Sequence, residues 1–258
     1  MTPRPRIRRP RPQARPPGFA SRLAAIGFIF AVLAVIAELL AGFGARSDWW
    51  PYRDGITGLR WAAFAGLGGG ILALLGCFFT HGSRSRLLMG VLGFAIGAAA
   101  FGIPYSVYQS GQKGPRLNDI TTDTDNPPAF VSALPIRKNA SNPPEYPGAE
   151  FAALQQKAYP HIAPIIKKTP ISGAFDQALS VARSMGWEII ATVPAEGRIE
   201  AVATSMLFGF KDDVVIRVKE ADGGARVDIR SKSRVGRNDY GANAKRIVAF
   251  TLKLRSAE

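Results

Sequence analysis

The sequence predicts an α-helical membrane bundle of three transmembrane helices plus an α+β domain. In that domain a four-stranded antiparallel meander carries helices on one face. Three observations predict this. Apolar runs at residues 23–43, 61–80 and 87–108 are each close to the ~20 residues an α-helix needs to cross a bilayer core. A proline-rich stretch follows. Beyond it, helical spacing gives way to two-residue alternation and then returns. The chain divides into a basic tail (1–22), a membrane region (23–109), a proline-rich linker (110–171) and an α+β domain (172–258).

Arg4, Arg6, Arg8, Arg9, Arg11, Arg15 and Arg22 precede the first run with no acid among them, and supply half of the net charge of +14. Beside an apolar run, such a tail is a topology signal before it is a nucleic-acid signal. Its Pro-Arg alternation predicts an extended arm. The first loop sets Arg46, Arg53 and Arg60 against Asp48 and Asp54, and the short second loop holds Arg84 and Arg86. Positive charge marks the cytoplasmic side. The expected protein is therefore a multi-pass inner (plasma) membrane protein with a cytoplasmic N-terminus and a periplasmic C-terminal domain. Trp49, Trp50, Tyr52, Trp61, Tyr105 and Tyr108 fall at the outer interface, where amphipathic rings belong. The first run is too long for a signal-peptide core of about 7–15 residues.

Gly66-x-x-x-Gly70 and Gly93-x-x-x-Gly97 predict close helix contact in the second and third spans. Glu38 is the acid within a span, near its outer end. Cys77 is a lone thiol among aliphatics and predicts a small packing residue.

Ten prolines between residues 109 and 172 argue against long helices and central strands there. The expected form is an extended segment wrapping the folded part. Asn118, Asp119, Asp123, Asp125 and Asn126 superficially resemble a calcium loop. The glycine and terminal glutamate of such a loop are missing, so turn and capping roles are expected and no metal is assigned.

From residue 172, Phe175, Ala178, Leu179, Ala182 and Met185 recur at helical spacing, and Gly186 ends the run. Trp187, Ile189, Ala191 and Val193 then alternate. Ile199, Ala201, Ala203 and Ser205 continue the same face if residues 195–197 form a turn with Gly197 left-handed. Asp222-Gly223 predicts a type I′ hairpin turn. That turn sets Val218 opposite Val227, Ile216 opposite Ile229, Val214 opposite Ser231, Arg217 opposite Asp228 and Asp213 opposite Lys232. A one-residue slip would destroy both the apolar face and the charge pairs. Residues 240–254 read as a last helix, with Ala244, Ile247, Val248, Thr251 and Leu254 or Leu252 toward the sheet. Asn238 or Asp239 is expected to cap it.

Three segments, LNDITTDTDNPPAF (117–130), DDVVIRV (212–218) and DIRSKSRVGRNDYGANAKRI (228–247), resemble the bacterial and plastid domain of unknown function 1499 family. The resemblance covers residues 117–254. It implies that the three motifs come together on one surface, and it carries no activity to transfer.

The candidate ligand site is Arg230, Arg234, Gly236, Arg237 and Asn238, where alternating basic residues run into the last helix. Asp228 and Asp213 offset part of this charge. No nucleophile elbow, paired-histidine motif or phosphate loop occurs, and His81 and His161 lie in loops, so no catalytic residue and no cofactor is assigned. The expected function is a membrane-anchored binding domain for an anionic lipid, glycan or envelope protein, with the bilayer itself as partner and no nucleic acid. One alternative is a hydrolase using Asp212, Asp213 and Asp239. The other is a small membrane subunit acting through its helices.

The orientation predicts that a phosphatase reporter fused after Leu254 is active and one fused in the 82–85 loop is silent. The reverse pattern would overturn it.

Overall fold

The computed structural model describes residues 19–79, 83–112 and 114–257. The arginines at positions 4–15 and His81 fall outside them. The chain forms two compact units, Met1–Glu38 with Arg60–Phe101 and Leu39–Leu59 with Gly102–Glu258.

Three long helices are present: α1 (Leu23–Arg46), α2 (Tyr52–Gly76) and α3 (Arg84–Gln112). All three are long and apolar enough to cross a membrane. At 1.5 Å per residue even α1 measures about 36 Å, more than the ~30 Å of a hydrocarbon core. In the first unit, glycines bring helix backbones together as their spacing predicts. A Cβ on Gly97 of α3 would lie 2.2 Å from the Gly66 carbonyl oxygen and 2.8 Å from the Gly70 Cα of α2. Any larger residue at 97 would force the two helices apart.

The second unit contains an antiparallel sheet. Its strands are β1 (Asp119–Thr121), β2 (Ile165–Lys167), β3 (Glu188–Val193), β4 (Arg198–Thr204), β5 (Lys211–Ala221) and β6 (Gly224–Ser233). Helices α4 (Ala149–Ala158), α5 (Ile171–Ser184) and α6 (Ala242–Ser256) complete it. The sheet thus has six strands rather than four. The order is β1-β6-β5-β4-β3, and β2 also pairs with β6. β1 covers residues 230–232 of β6 and β2 covers residues 225–227. Both extra strands are three residues long and lie between prolines, too short to show an alternation. They pair an edge that would otherwise expose unsatisfied N–H and C=O groups. At β1 a side chain continues the edge pattern: Thr121 N donates to Gln155 Oε1 (3.0 Å), and Gln155 Nε2 donates to Thr121 O (2.7 Å).

The β5–β6 register is the one the charge pattern demands. Val218 faces Val227, Ile216 faces Ile229, Arg217 faces Asp228 and Asp213 faces Lys232. The turn is not type I′, because Gly223 has φ +78° while Asp222 does not take a positive φ. Between β3 and β4 the register shifts at Ile190, so Ala191 and Val193 stand opposite Glu200 and Arg198. The bulge breaks the single apolar face expected for residues 187–193. Ile190, the extra residue, packs against Phe130, Ala133 and Val215 on the other side of the sheet. Gly197 is left-handed as expected, at φ +61°.

Both faces of the sheet are covered. Helices α5 and α6 lie on one face, where Phe175, Ala178, Ile247, Phe250 and Leu254 meet Ile199, Ile216, Val218, Val227 and Ile229. Trp187 stacks on Phe250 with centroids 5.8 Å apart. Periodicity placed α6 only in part: Ala244, Ile247 and Leu254 are buried as expected, Val248 and Thr251 are half-buried, Leu252 is 61% exposed, and Phe250, which the spacing leaves out, is buried. The proline-rich segment covers the opposite face, and the layer between them is charged. Asp119 is fully buried and binds Arg230 (2.7 Å) and Lys232 (2.8 Å), each only 2% exposed. Asp213 pairs with Arg137 and Arg234, and Asp228 pairs with Arg217 and Arg226, which both also reach Asp123. Buried Glu200 accepts the backbone N–H groups of Val131, Ser132 and Ala133 and pairs with Arg198. The residues read as a linker are thus one layer of the domain. Burial also pulls the Lys232 ammonium below its ordinary pKa, against the opposing pull of Asp119.

Removing Asp119 would leave two buried cations without their counter-charge. Asp119→Ala is expected to destabilise the domain by about 3–5 kcal/mol, read as a large fall in thermal midpoint by near-UV circular dichroism of the full chain in detergent. A fall no larger than that of a surface substitution would show that the pair is not closed in solution.

Candidate functional site

The segment between β6 and α6 builds a cleft of about 420 Å³. The chain leaves the sheet at Ser233, and Gly236 then takes φ +87°. The Gly236 carbonyl accepts from Asn118 Nδ2 (2.7 Å) and Asn142 Nδ2 (2.9 Å), so two side chains hold the turn. Asn238 donates to the Gly111 carbonyl at 2.9 Å. The Asp239 carboxylate accepts the N–H groups of Gly241 and Asn243, each at 2.8 Å. The N-cap position of α6 is Gly241 rather than the expected Asn238 or Asp239, and the Asp239 carboxylate takes up one N–H of the first turn, that of Asn243. Burial raises the Asp239 pKa despite these hydrogen bonds. Behind it, Arg246 bonds Asp212 (2.6 Å), Ser231 (2.8 Å) and Asn243 (2.5 Å), forming the polar floor.

The predicted site residues separate into two groups. Arg230 is enclosed. It grips Asp119 with Nε (2.9 Å) and Nη2 (2.7 Å), donates to the carbonyls of Pro128 and Pro144, and lies 4.8 Å from the Phe130 ring centre and 5.5 Å from that of Tyr146. Arg234 grips Asp213 and donates to the Ile136 carbonyl. Both guanidinium groups bind the frame. Gly236, Arg237 and Asn238 line the cleft together with Arg116, Ser205, Asp212 and Arg246. Arg237 and Arg116 are exposed and make no hydrogen bond or ion pair among the described residues. Arg116 and Arg246 were not singled out from sequence. Arg116 stands one residue before the first motif, and Arg246 lies inside the third. Neither carries a periodic signal that marks it.

Asp213 faces away from the cleft, in the charged layer. Asp212 and Asp239 line the cleft, and Arg246 neutralises Asp212. Two of the three acids of the calcium-like spacing are engaged too: Asp119 with Arg230 and Lys232, Asp123 with Arg217, Arg226 and the Asn126 N–H, while Asp125 is exposed. The three motifs meet around β6, largely as interior rather than as one surface.

An α+β domain with a charged inner layer, attached to three helices able to span a membrane, defines the class of protein. The family model described as "Protein of unknown function (DUF1499)" matches residues 119–254, and the chain belongs to that family. Comparison with curated proteins and with solved structures gives no match.

The Tyr146 hydroxyl is buried and makes no hydrogen bond among the described residues. Burial, reinforced by Asp119, raises its pKa from 10.0 to about 12. The folded value lies above the unfolded one, so the contribution to stability is complete below pH 10 and is lost as pH rises toward 12. Tyr146→Phe keeps the ring over Arg230 and removes the titration. The variant is expected to match or exceed the parent at pH 8, and to lose less stability between pH 10 and 12. Urea unfolding of the two chains across that range checks it, and parallel curves would show that the hydroxyl is solvated.

Proposed function

We propose that the protein is a multi-pass inner-membrane protein, cytoplasmic at its N-terminus, whose periplasmic domain binds the phosphate or carboxylate of an anionic ligand in the cleft beside α6. The observation that carries this reading is the contrast among arginines. Arg226, Arg230, Arg234 and Arg246 are each neutralised within the domain. Arg116 and Arg237 stand at the cleft with guanidinium forks that bind no partner among the described residues, and their planar geometry suits a two-oxygen anion. Ser205, whose hydroxyl accepts the Phe210 N–H and keeps its own proton to donate, adds a hydrogen-bonding group on the same wall. The arginine-rich tail supports the orientation.

Glycerol 1-phosphate titrated into the full chain in zwitterionic nanodiscs tests the reading. A hydrogen bond to a charged group contributes about 1.5–3 kcal/mol, so Arg237→Ala or Arg116→Ala should weaken binding at least about tenfold. Added salt should weaken it further, and Arg237→Lys should recover only part of it. The thermal midpoint should stay within the range of surface substitutions. Unchanged binding, or binding lost only together with the fold, would overturn the reading.

A further inference from the structure

Asn238 and Tyr240 line a second cavity as well as the cleft. This cavity, of about 510 Å³, runs along α6 past Ala244, Val248, Ala249 and Leu252, and its opposite wall includes Pro115 and Tyr159. α6 therefore has two apolar faces. Ile247, Phe250 and Leu254 enter the core, while Val248 and Leu252 line an open groove. A surface helix with one sheet to cover needs only one apolar stripe, so the second stripe is unaccounted for by folding.

The surroundings identify its occupant. The groove starts at Ser110 and Gly111, in the last turn of α3, so it opens where a helix long and apolar enough to span a bilayer comes to its end. α6 carries Lys245, Arg246, Lys253 and Arg255 and no acid, and Lys245 and His161 stand on the groove wall. Tyr240 separates the two cavities. Its backbone takes φ +55°, which is uncommon for a non-glycine residue. Its ring sits so close that a Cβ on Gly111 would lie 1.7 Å from it. An apolar groove and a basic cleft on either side of one aromatic residue match an amphipathic anion, with chain on one side and phosphate on the other.

We propose that the cleft and the groove form one bipartite site for an anionic glycerophospholipid. The phosphate lies between Arg116 and Arg237, and one acyl chain lies along Val248, Ala249 and Leu252. This rests on the reading of the cleft as an anion site and adds the chain to it.

The test uses the full chain in detergent and phosphatidylglycerol bearing a photoreactive diazirine in one acyl chain, with cross-links mapped by peptide mass spectrometry. Labelling of residues 244–252 should exceed that by the matching diacylglycerol probe, which has the chains but no phosphate, about tenfold, the value of one lost charge-assisted contact. Arg237→Ala should reduce it toward the diacylglycerol level. Ala249→Trp, which fills the groove, and Leu252→Gln, at an exposed position, should reduce labelling several-fold while leaving glycerol 1-phosphate binding unchanged. If glycerol 1-phosphate binds and depends on Arg237 but the groove variants leave labelling as it was, the bipartite site is wrong and the cleft reading stands. Equal labelling by both lipids, insensitive to Arg237→Ala, also overturns the bipartite site. If neither probe depends on Arg237, the cleft reading falls with it.

Discussion

Asp119 binds Arg230 and Lys232 where all three are cut off from water. A buried charge is tolerated only when its partner is held in place. Here the two cations come from β6 and the anion comes from a strand more than a hundred residues earlier. β6 cannot place its alternating basic residues on the interior side of the sheet unless the proline-rich segment brings its acids and carbonyls. That segment in turn lacks the apolar periodicity to fold by itself. Each half supplies what makes the other tolerable.

The same dependence explains why the proline-rich segment is ordered without long elements. Prolines remove donors and prevent a regular ladder, so its remaining backbone groups are paired one at a time. Glu200 accepts three successive N–H groups at residues 131–133, Gln155 completes β1, and the Pro128 and Pro144 carbonyls receive Arg230. Side chains do there what strands do elsewhere. The family match begins at residue 119, within β1, in keeping with this segment belonging to the domain.

The network also separates frame from function. Basic residues that look alike along β6 have different neighbours: Arg230 and Arg234 are bound on several sides, whereas Arg237, past Gly236, has left the layer and reaches the cleft. A guanidinium already satisfied by a carboxylate has little to offer a ligand. The cleft therefore draws its free charge from the turn after β6 and from the chain just before β1, two places that the sheet brings to one end.

By itself the sequence determined the features governed by local period and composition. Three apolar runs give three long helices, the Asp222-Gly223 hairpin has the register that its charge pairs require, and Gly197 is left-handed. It did not determine β1 and β2, because three-residue strands between prolines have no period to read. Nor could it choose between Leu254 and Leu252 or mark Phe250 as inward, since two apolar stripes on one helix leave the inward face ambiguous until the sheet is in place. The fate of each arginine was decided only by tertiary structure. A guanidinium is structural or free according to which carboxylate the fold carries to it, and those carboxylates lie on distant parts of the chain.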